Sequence, residues 1–475
     1  MRMNLLDISR LLGVVCVGMS PEDALTSPTG AAIDSRAVKK DNLFFCLPGE
    51  HVDGHDFAEA AVKNGALAVI GTRDPFEGKN KTPVLVVHDT AKALAKIAAG
   101  HRATAKSTVI GVTGTSGKTS VKETLASVLS VSGETAKNPV NLNNQIGLPL
   151  SMLNASARAA YWVMEAGISR PGDMDELGRI LRPDIALILN AGAGHVEELG
   201  DRGVAWHKAR LLDYLMPDGE GVVSADYPEL VTESAAYSAP IVRFSALNAE
   251  EMYFASYRGQ EENARGTFDL SMDGEAVTVS APFLGAYGAE NVAAVGAVAH
   301  IVGMTAREVA EGFAAAELPA QRFALRETGD FLIIDDSYNA NPLSMRRMLE
   351  AAADMAASRG DDLVLVLGEM KELGPDSPEY HATLGREAAE LAPRAVIWKG
   401  GHGEAVAKGL HEAGYAGSFT HVADAASFTA AVMALGIHSG VALFKGSRSN
   451  QLEELVAAFT AMTGDGAEKG TADAL

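Results

Sequence analysis

Thiols are almost missing from this chain: two cysteines, Cys16 and Cys46, are spread over 475 residues. Two cysteines cannot build a disulfide framework, so the fold must rest on apolar cores, and a reducing, cytoplasmic setting is expected. Long uncharged apolar runs are missing too. No charge-free apolar span reaches about eighteen residues, so no integral membrane segment is expected. The start, Met1-Arg-Met-Asn-Leu-Leu-Asp7, lacks the apolar run of a secretory leader. Positive charge is scarce: Lys and Arg number 40 against 61 Asp and Glu, a formal net charge of −21. That balance argues against a nucleic-acid partner, which would need a basic footprint. It does not exclude a small phosphate-bearing ligand, because a few local cations and backbone amides suffice to hold one.

What the chain does have is length and apolar content. Hydrophobic residues make up 47% of it, enough for sizeable cores and for roughly two to four domains. Its most informative stretch is Gly111-Val-Thr-Gly-Thr-Ser-Gly-Lys-Thr-Ser120. Ser107-Thr-Val-Ile110 before it reads as a strand, and Val121, Leu125, Val128 and Leu129 after it recur at helical spacing. A strand, a glycine-rich turn and a helix opening on Lys-Thr form the arrangement of a phosphate-binding loop. Backbone N–H groups around Gly114 and Gly117 would converge on an oxyanion at the helix N-terminus. Lys118 would reach the terminal phosphates, and the Thr119 hydroxyl would bind Mg²⁺, a hard cation that prefers oxygen. Val112 stands where the longer form of the motif has its first glycine, so the loop is the shorter type.

The periodicity predicts an α/β protein of three domains. Residues 1–88 read as a small α/β unit with a helix around Leu5–Leu12, a strand over 42–47, a helix over 57–63 and a strand over 66–70. Two polar clusters interrupt it, Asp34-Ser-Arg36 and His51-Val-Asp-Gly-His-Asp56, each of which reads as a surface turn when taken alone. Residues 89–320 carry the phosphate loop and then alternate strands (161–164, 184–189, 221–223) with helices, the pattern of a mostly parallel sheet covered on both faces. From 241 to 284 the pieces are short and β-leaning, as in an antiparallel extension, and two Ala-rich helices follow over 291–302 and 305–316. Residues 321–475 repeat the alternation with strands over 331–334, 363–367, 395–398 and 441–444, a Rossmann-like sheet, and residues 464–475 read as a frayed end.

Ligands of such sheets bind at the carboxyl ends of the strands. Those ends carry Glu165 after 161–164, Asn190-Ala-Gly-Ala-Gly-His195 after 184–189, and Asp335-Asp-Ser-Tyr-Asn-Ala-Asn-Pro342 after 331–334. Glu165 and His195 would share the edge of Thr119 and could share a metal ion, the carboxylate being the better ligand for Mg²⁺. Pro342 suits a first helical turn with Asn341 as its cap, but capping does not explain Asp336, Tyr338 and Asn339, which favour a ligand site. Lys208, in 204–212, reads as a surface or phosphate-facing lysine, since an ammonium cannot ligate a cation.

Taken in this order, the segments resemble the Mur ligases, ATP-dependent enzymes that add amino acids to the UDP-muramic acid precursor of peptidoglycan. The matching pieces run from Asp34 to Arg448. Asp34-Ser-Arg36 with Asp53-Gly-His55 resembles the first domain of the ligases adding the third and fourth residues. The Asp335–Pro342 run, with Leu367-Gly-Glu-Met-Lys-Glu-Leu-Gly374, Lys445-Gly-Ser-Arg448 and the Asn143–Pro149 loop, is similar to the D-alanyl-D-alanine-adding branch. A diaminopimelate- or lysine-adding ligase would show Asp-Tyr-Ala-His at 336–339.

The resemblance implies a UDP-binding N-terminal domain, a central ATPase domain and a C-terminal Rossmann-like domain. It implies ATP and Mg²⁺ as cofactors, UDP-MurNAc-tripeptide and D-Ala-D-Ala as substrates, and a monomer. Gly114, Thr115, Ser116, Gly117, Lys118, Thr119 and Ser120 would hold the ATP phosphates. Thr119, Glu165, His195 and a carbamylated Lys208 would ligate the metal, and Lys118, Lys208 and His195 would form the catalytic set. Asn291 would contact adenine, while Arg322 and Asp336 would close on the nucleotide. Ser35, Arg36, Asn143, Asn144, Asn339, Asn341, Lys445 and Arg448 would bind substrate. Three positions depart from the family: Glu290 replaces the usual His, Ala294 a second Asn, and Gln321 a Gly before the junction Arg. The rival readings are another ligase of the superfamily, such as the third-residue-adding enzyme or folylpolyglutamate synthetase, and a phosphate-loop NTPase without ligase activity.

Overall fold

Strand-forming runs divide the chain among three sheets, seen in a computed structural model that describes residues 1–49, 51–139, 141–192, 199–200, 202–261 and 265–464. His195 and the end from residue 465 lie outside the described residues.

The first sheet runs Cys16–Val17, Val84–Val86, Ala66–Gly71, Asn42–Phe45, Gly30–Ala32, antiparallel only at the first pair. Leu43, Phe44 and Phe45 are all fully buried, as a strand covered on both faces requires. The His51–Asp56 cluster proves to be more than a surface turn. His55 is buried, with Nδ1 2.5 Å from the Asp53 carboxylate and Nε2 accepting from the Thr72 N–H at 3.0 Å. It ties its loop to the end of the neighbouring strand.

The second sheet has nine strands, ordered Glu275–Ala281, Gly266–Met272, Tyr253–Gln260, Ile241–Ser245, Glu220–Ser224, Ile185–Ile188, Thr108–Thr113, Tyr161–Glu165, Thr135–Lys137. Its centre is parallel, and the three strands over 253–281 form the antiparallel extension expected for that stretch. Register sets Val112 beside Glu165 and Thr113 beside Ile188, so the phosphate loop, Glu165 and Asn190 leave the sheet at one edge. The helix expected from Asn291 begins earlier, spanning Gly285–Ile301, and is buried almost all round. Small residues make this possible: a Cβ at Gly296 would lie 2.7 Å from Leu270.

The third sheet runs Ala324–Thr328, Phe331–Asp336, Gly440–Lys445, Leu363–Gly368, Ala395–Lys399, Ser418–Val422, parallel beyond its first pair. Successive side chains of Phe331–Asp336 enter different cores: Ile333 packs with Phe444 and Phe459, Ile334 with Met345 and Leu349. Register pairs Asp336 with Lys445, which brings two polar strand ends together.

The first two sheets share one apolar core. It runs from Leu5, Ile8, Leu43 and Phe45 through Leu94 and Ile97 to Met152, Trp162 and Met164. Asn154 adds a two-point hydrogen bond across the same junction, accepting from the Ala31 N–H at 3.1 Å and donating to the Ala31 carbonyl at 2.9 Å. A Cβ at Gly30 would stand 2.3 Å from Asn154 Oδ1 and would push the amide out of this bond. No helix among the described residues is long and apolar enough to cross a membrane.

Candidate active site

The phosphate loop is held by strand ends on both sides. Gly117 takes φ 80°, a left-handed conformation that glycine adopts freely, and the helix Lys118–Leu129 opens directly after it. The Asn190 side chain braces the loop, accepting from the Ser116 N–H at 2.8 Å and donating to the Ser116 carbonyl at 3.1 Å. Lys118 Nζ folds back to donate to the carbonyls of Gly114 and Thr115, at 2.9 and 3.4 Å. Those carbonyls stand in for the phosphate oxygens such a lysine meets in this kind of loop.

Thr119 donates to Glu165 Oε2 at 2.9 Å, and Asn143 donates to Glu165 Oε1 at 2.8 Å. Glu165 is 2% exposed, and its backbone is clamped by Asn138, which accepts from its N–H at 2.9 Å and donates to its carbonyl at 3.1 Å. Lys122, wholly buried one turn along the helix from Lys118, lies 3.9 Å from Glu165 and donates to the Asn138 carbonyl at 2.7 Å. A hydroxyl and a buried carboxylate thus converge as hard oxygen donors. No cluster of three His, Cys, Asp or Glu side chains occurs among the described residues, so a cation here would need oxygens from phosphate or water, as Mg²⁺ ordinarily does.

The C-terminal sheet supplies the opposite wall. Arg322 Nη2 donates to Thr119 Oγ1 at 3.3 Å, with its guanidinium 4.0 Å from the centre of the Tyr338 ring. Gln321 and Phe323, on either side of it, both adopt positive φ, 61° and 54°. That backbone is held by the Tyr338 N–H donating to the Gln321 carbonyl at 3.3 Å and the Phe323 N–H donating to Asp336 at 3.1 Å. Lys445 donates to Asp336, and to the Asn339 carbonyl at 3.1 Å. Asn341 caps the helix Pro342–Arg359 through the Ser344 N–H at 2.9 Å, and its Nδ2 also donates to the Thr115 carbonyl at 3.3 Å.

These walls enclose a cavity of about 320 Å³ lined by Thr115–Ser120, Asn143, Asn144, Glu165, Arg322, Asp336, Asn339, Asn341 and Lys445, with Tyr287, Tyr338 and Arg347. Asn144 also shapes its own loop, accepting from the Gly147 N–H at 2.9 Å. Gly114 lies just behind the cavity, where its carbonyl holds Lys118.

Besides Gly114, five predicted residues among those described lie off the cavity lining. Lys208 is 3% exposed, which corrects the surface reading; burial and the nearby charge of Lys118 push its pKa well below that of an ordinary lysine. Asn291 is fully buried behind the loop, where a Cβ at Gly117 would come 3.0 Å from its Oδ1, and both its amide atoms lack partners among the described residues. Arg448 donates to Gln321 at 3.3 Å and pairs with Glu453 at 3.0 Å. Ser35 is buried and Arg36 exposed in the 3-10 turn Ser35–Ala37 that follows the strand Gly30–Ala32, with Arg36 paired to Asp34 at 2.7 Å. Asn138 and Lys122 are structural supports that sequence reasoning missed, and Asn190, quoted at its strand end, was given no role there. Their signal was positional: Lys122 is one turn beyond Lys118, and Asn190 directly follows a strand end.

Burial lowers the pKa of Lys118, with Arg322 adding to the effect and Glu165 opposing it. Lys118, Lys122 and Arg322 therefore gather positive charge around one buried carboxylate, a field that suits a polyanion.

Fold and site together define a nucleotide-dependent enzyme in which a phosphate loop on one sheet is closed by arginine, asparagine and lysine from another. Family models agree and cover most of the chain: "Mur ligase family, catalytic domain" matches residues 29–102, "Mur ligase middle domain" 112–299, and "Mur ligase, glutamate ligase domain" 321–448. A UDP-N-acetylmuramoyl-tripeptide–D-alanyl-D-alanine ligase from Mycobacterium leprae is 33% identical, aligned over 97% of this chain and 98% of its own. The protein of the same name from Escherichia coli is also 33% identical, over 90% and 92%. Among solved structures, MurF from Acinetobacter baumannii superposes with a TM-score of 0.83 at 29% identity, covering 97% of this chain and 99% of that one. MurF ligase from Thermotoga maritima, solved in complex with ADP, gives 0.78 at 28% identity over 91% and 97%. The chain belongs to the Mur ligase family and is an ATP-dependent ligase.

Proposed function

We propose that the protein joins D-alanyl-D-alanine to UDP-MurNAc-tripeptide, a cytoplasmic step of peptidoglycan precursor synthesis, with release of ADP and phosphate. The observation that carries this reading is the meeting of two distant segments in one cavity: the Asp335–Pro342 run reaches the phosphate loop through Asn341 and Thr115, 3.3 Å apart. The names of the relatives supply the acceptor class.

In the first step a terminal carboxylate oxygen of the tripeptide attacks the γ-phosphorus of ATP, and the bond to ADP breaks. In the second the dipeptide amine attacks the acyl phosphate carbonyl, and phosphate leaves with the C–O electron pair. Two anions must meet in the first step, so the work of the protein is charge neutralisation and positioning. Lys118 leaves its carbonyl partners for the transferred phosphoryl oxygens, and Arg322 adds its charge from the closing domain. Thr119 and Glu165 would hold Mg²⁺, which when bound would supply charge neutralisation for the phosphates. Asn143 and Lys122 fix the Glu165 carboxylate in place for that role. Closure of the third sheet keeps water from the acyl phosphate.

Lys208 is read as carbamylated. Its lowered pKa favours the neutral amine, the form that adds CO₂, and the product carbamate is an anion that would relieve the crowding with Lys118. Ser35 and Arg36 are read as contacts of the UDP end, and Asn339, Lys445 and Arg448 as contacts toward the dipeptide. The experiment is ADP release with UDP-MurNAc-tripeptide and, in turn, D-Ala-D-Ala, diaminopimelate, lysine or glutamate. Stimulation by D-Ala-D-Ala alone is expected; stimulation by a single amino acid instead would overturn the acceptor assignment.

A further inference from the structure

One buried polar cluster at the junction is not used by that mechanism. Glu290, on the helix Gly285–Ile301, and Arg347, on the helix Pro342–Arg359, come from different sheets and pair with side chains 4% and 10% exposed. Arg347 Nη2 donates both to Glu290 Oε2 and to the Tyr227 hydroxyl, which itself lies 3.5 Å from the same carboxylate oxygen. Arg347 Nη1 is buried without a partner among the described residues, as are both amide atoms of Asn291, while the Asn190 side chain stands within reach of the Glu290 carboxylate.

A buried ion pair adds little net stability over an apolar pair of similar volume, and an unmet buried donor is a further penalty. Arg347 lines the phosphate-loop cavity and Asn291 stands against Gly117, so both groups flank the loop, and a partner for Arg347 Nη1 would come from the cavity. That partner is not a phosphate, because the Glu290 carboxylate cancels the guanidinium charge and would repel an oxyanion. A nucleoside fits instead, since its hydroxyls, ring nitrogens and amino group both donate and accept.

We propose that Arg347 is a nucleotide contact brought by the C-terminal sheet, that its Nη1 donates to the nucleoside end of the bound nucleotide, and that Glu290 is the positioning residue that aims it. The proposal rests on the nucleotide-binding part of the reading above and not on the identity of the acceptor. It gives Glu290, a departure from the family pattern, a role together with a residue 57 positions away.

The test is calorimetric titration of the full-length protein with ADP and with inorganic tripolyphosphate, which lacks a nucleoside. The double variant Glu290→Gln/Arg347→Met removes both charges together and so avoids burying one of them alone. It is expected to bind ADP at least tenfold more weakly and tripolyphosphate as the wild type does, with KM for ATP raised and kcat within twofold. Arg347→Lys, which keeps the charge but not the fork, provides the second variant and is expected to weaken ADP binding with the melting temperature unchanged. Wild-type ADP affinity in either variant, or an equal loss for tripolyphosphate, would overturn the proposal. An acceptor other than D-Ala-D-Ala would sink the substrate assignment and leave these titrations readable; a wild type that does not bind ADP would overturn both.

Discussion

The protein has two internal junctions of opposite chemistry. Where the first sheet meets the second, the contact is one continuous apolar core, with Leu94, Ile97 and Trp162 buried between them and Asn154 closing its edge. Where the third meets the second, named polar contacts cross a cavity: Arg322 to Thr119, Asn341 to Thr115 and Arg347 to Glu290, with an apolar margin at Leu284 and Tyr287. Apolar burial is non-directional and is lost only by exposing the whole area, whereas a neutral hydrogen bond contributes about 1 kcal/mol and exchanges readily with water. The first two sheets are therefore joined as one body by the core they share, and the third is attached to them largely through polar contacts around the cavity.

The largest expected effect tests the polar side. Lys118→Ala should lower ADP release at least about 1000-fold, roughly 4 kcal/mol in the barrier. Precursor binding measured by calorimetry should stay within twofold. If that binding is lost as well, the loop and the precursor site are not independent.

Next comes the apolar side. Leu94 is fully buried in the shared core, and Leu94→Ala should destabilise by about 3 kcal/mol. Scanning calorimetry should show one transition for the first two sheets moving down together and a C-terminal transition that stays in place. Movement of an N-terminal transition alone would break the one-body picture.

Acid should weaken the same junction. His101 is 1% exposed, packs 5.4 Å from the Trp162 ring, and neither ring nitrogen has a partner among the described residues. Burial lowers its pKa from 6.5 to about 4, with the N-terminal amine and Arg2 adding to the shift. The unfolded chain therefore takes up this proton first, and stability falls as pH drops from 6.5 towards 4, by roughly 3 kcal/mol at about 1.4 kcal/mol per pH unit. Denaturant titrations of His101→Leu across that range should show this slope removed. An unchanged slope would assign the acid sensitivity elsewhere.

The smallest effect returns to the polar side. Asn341→Ala removes a helix cap and the contact to Thr115, so the C-terminal transition should drop by about 1 kcal/mol with the other unaffected. A few-fold fall in kcat should accompany it.

Residues whose placement at the cavity depends on a local pattern were legible in the sequence. Gly114 to Thr119 announce themselves because strand, turn and helix are contiguous, and Glu165 follows from its place at a strand end. Asp336 and Asn341 were legible for the same reason. Residues whose role depends on long-range pairing were not. Nothing near Arg347 marks it as the partner of Glu290, and nothing near Asn154 marks it as the edge partner of Ala31, 123 positions away. Lys208 misled for a related reason: a lysine on a short helix reads as solvated until the tertiary fold buries it.

The two positive-φ residues around Arg322 have a consequence for entropy. With Gln321 and Phe323 held at φ 61° and 54° the backbone at Arg322 is fixed, and stacking on the Tyr338 ring holds its side chain in one direction. Ordering a long, rotamer-rich side chain ordinarily costs up to about 2 kcal/mol. Here much of that search is completed when the chain folds rather than repeated at each turnover, so the guanidinium reaches Thr119 already aimed.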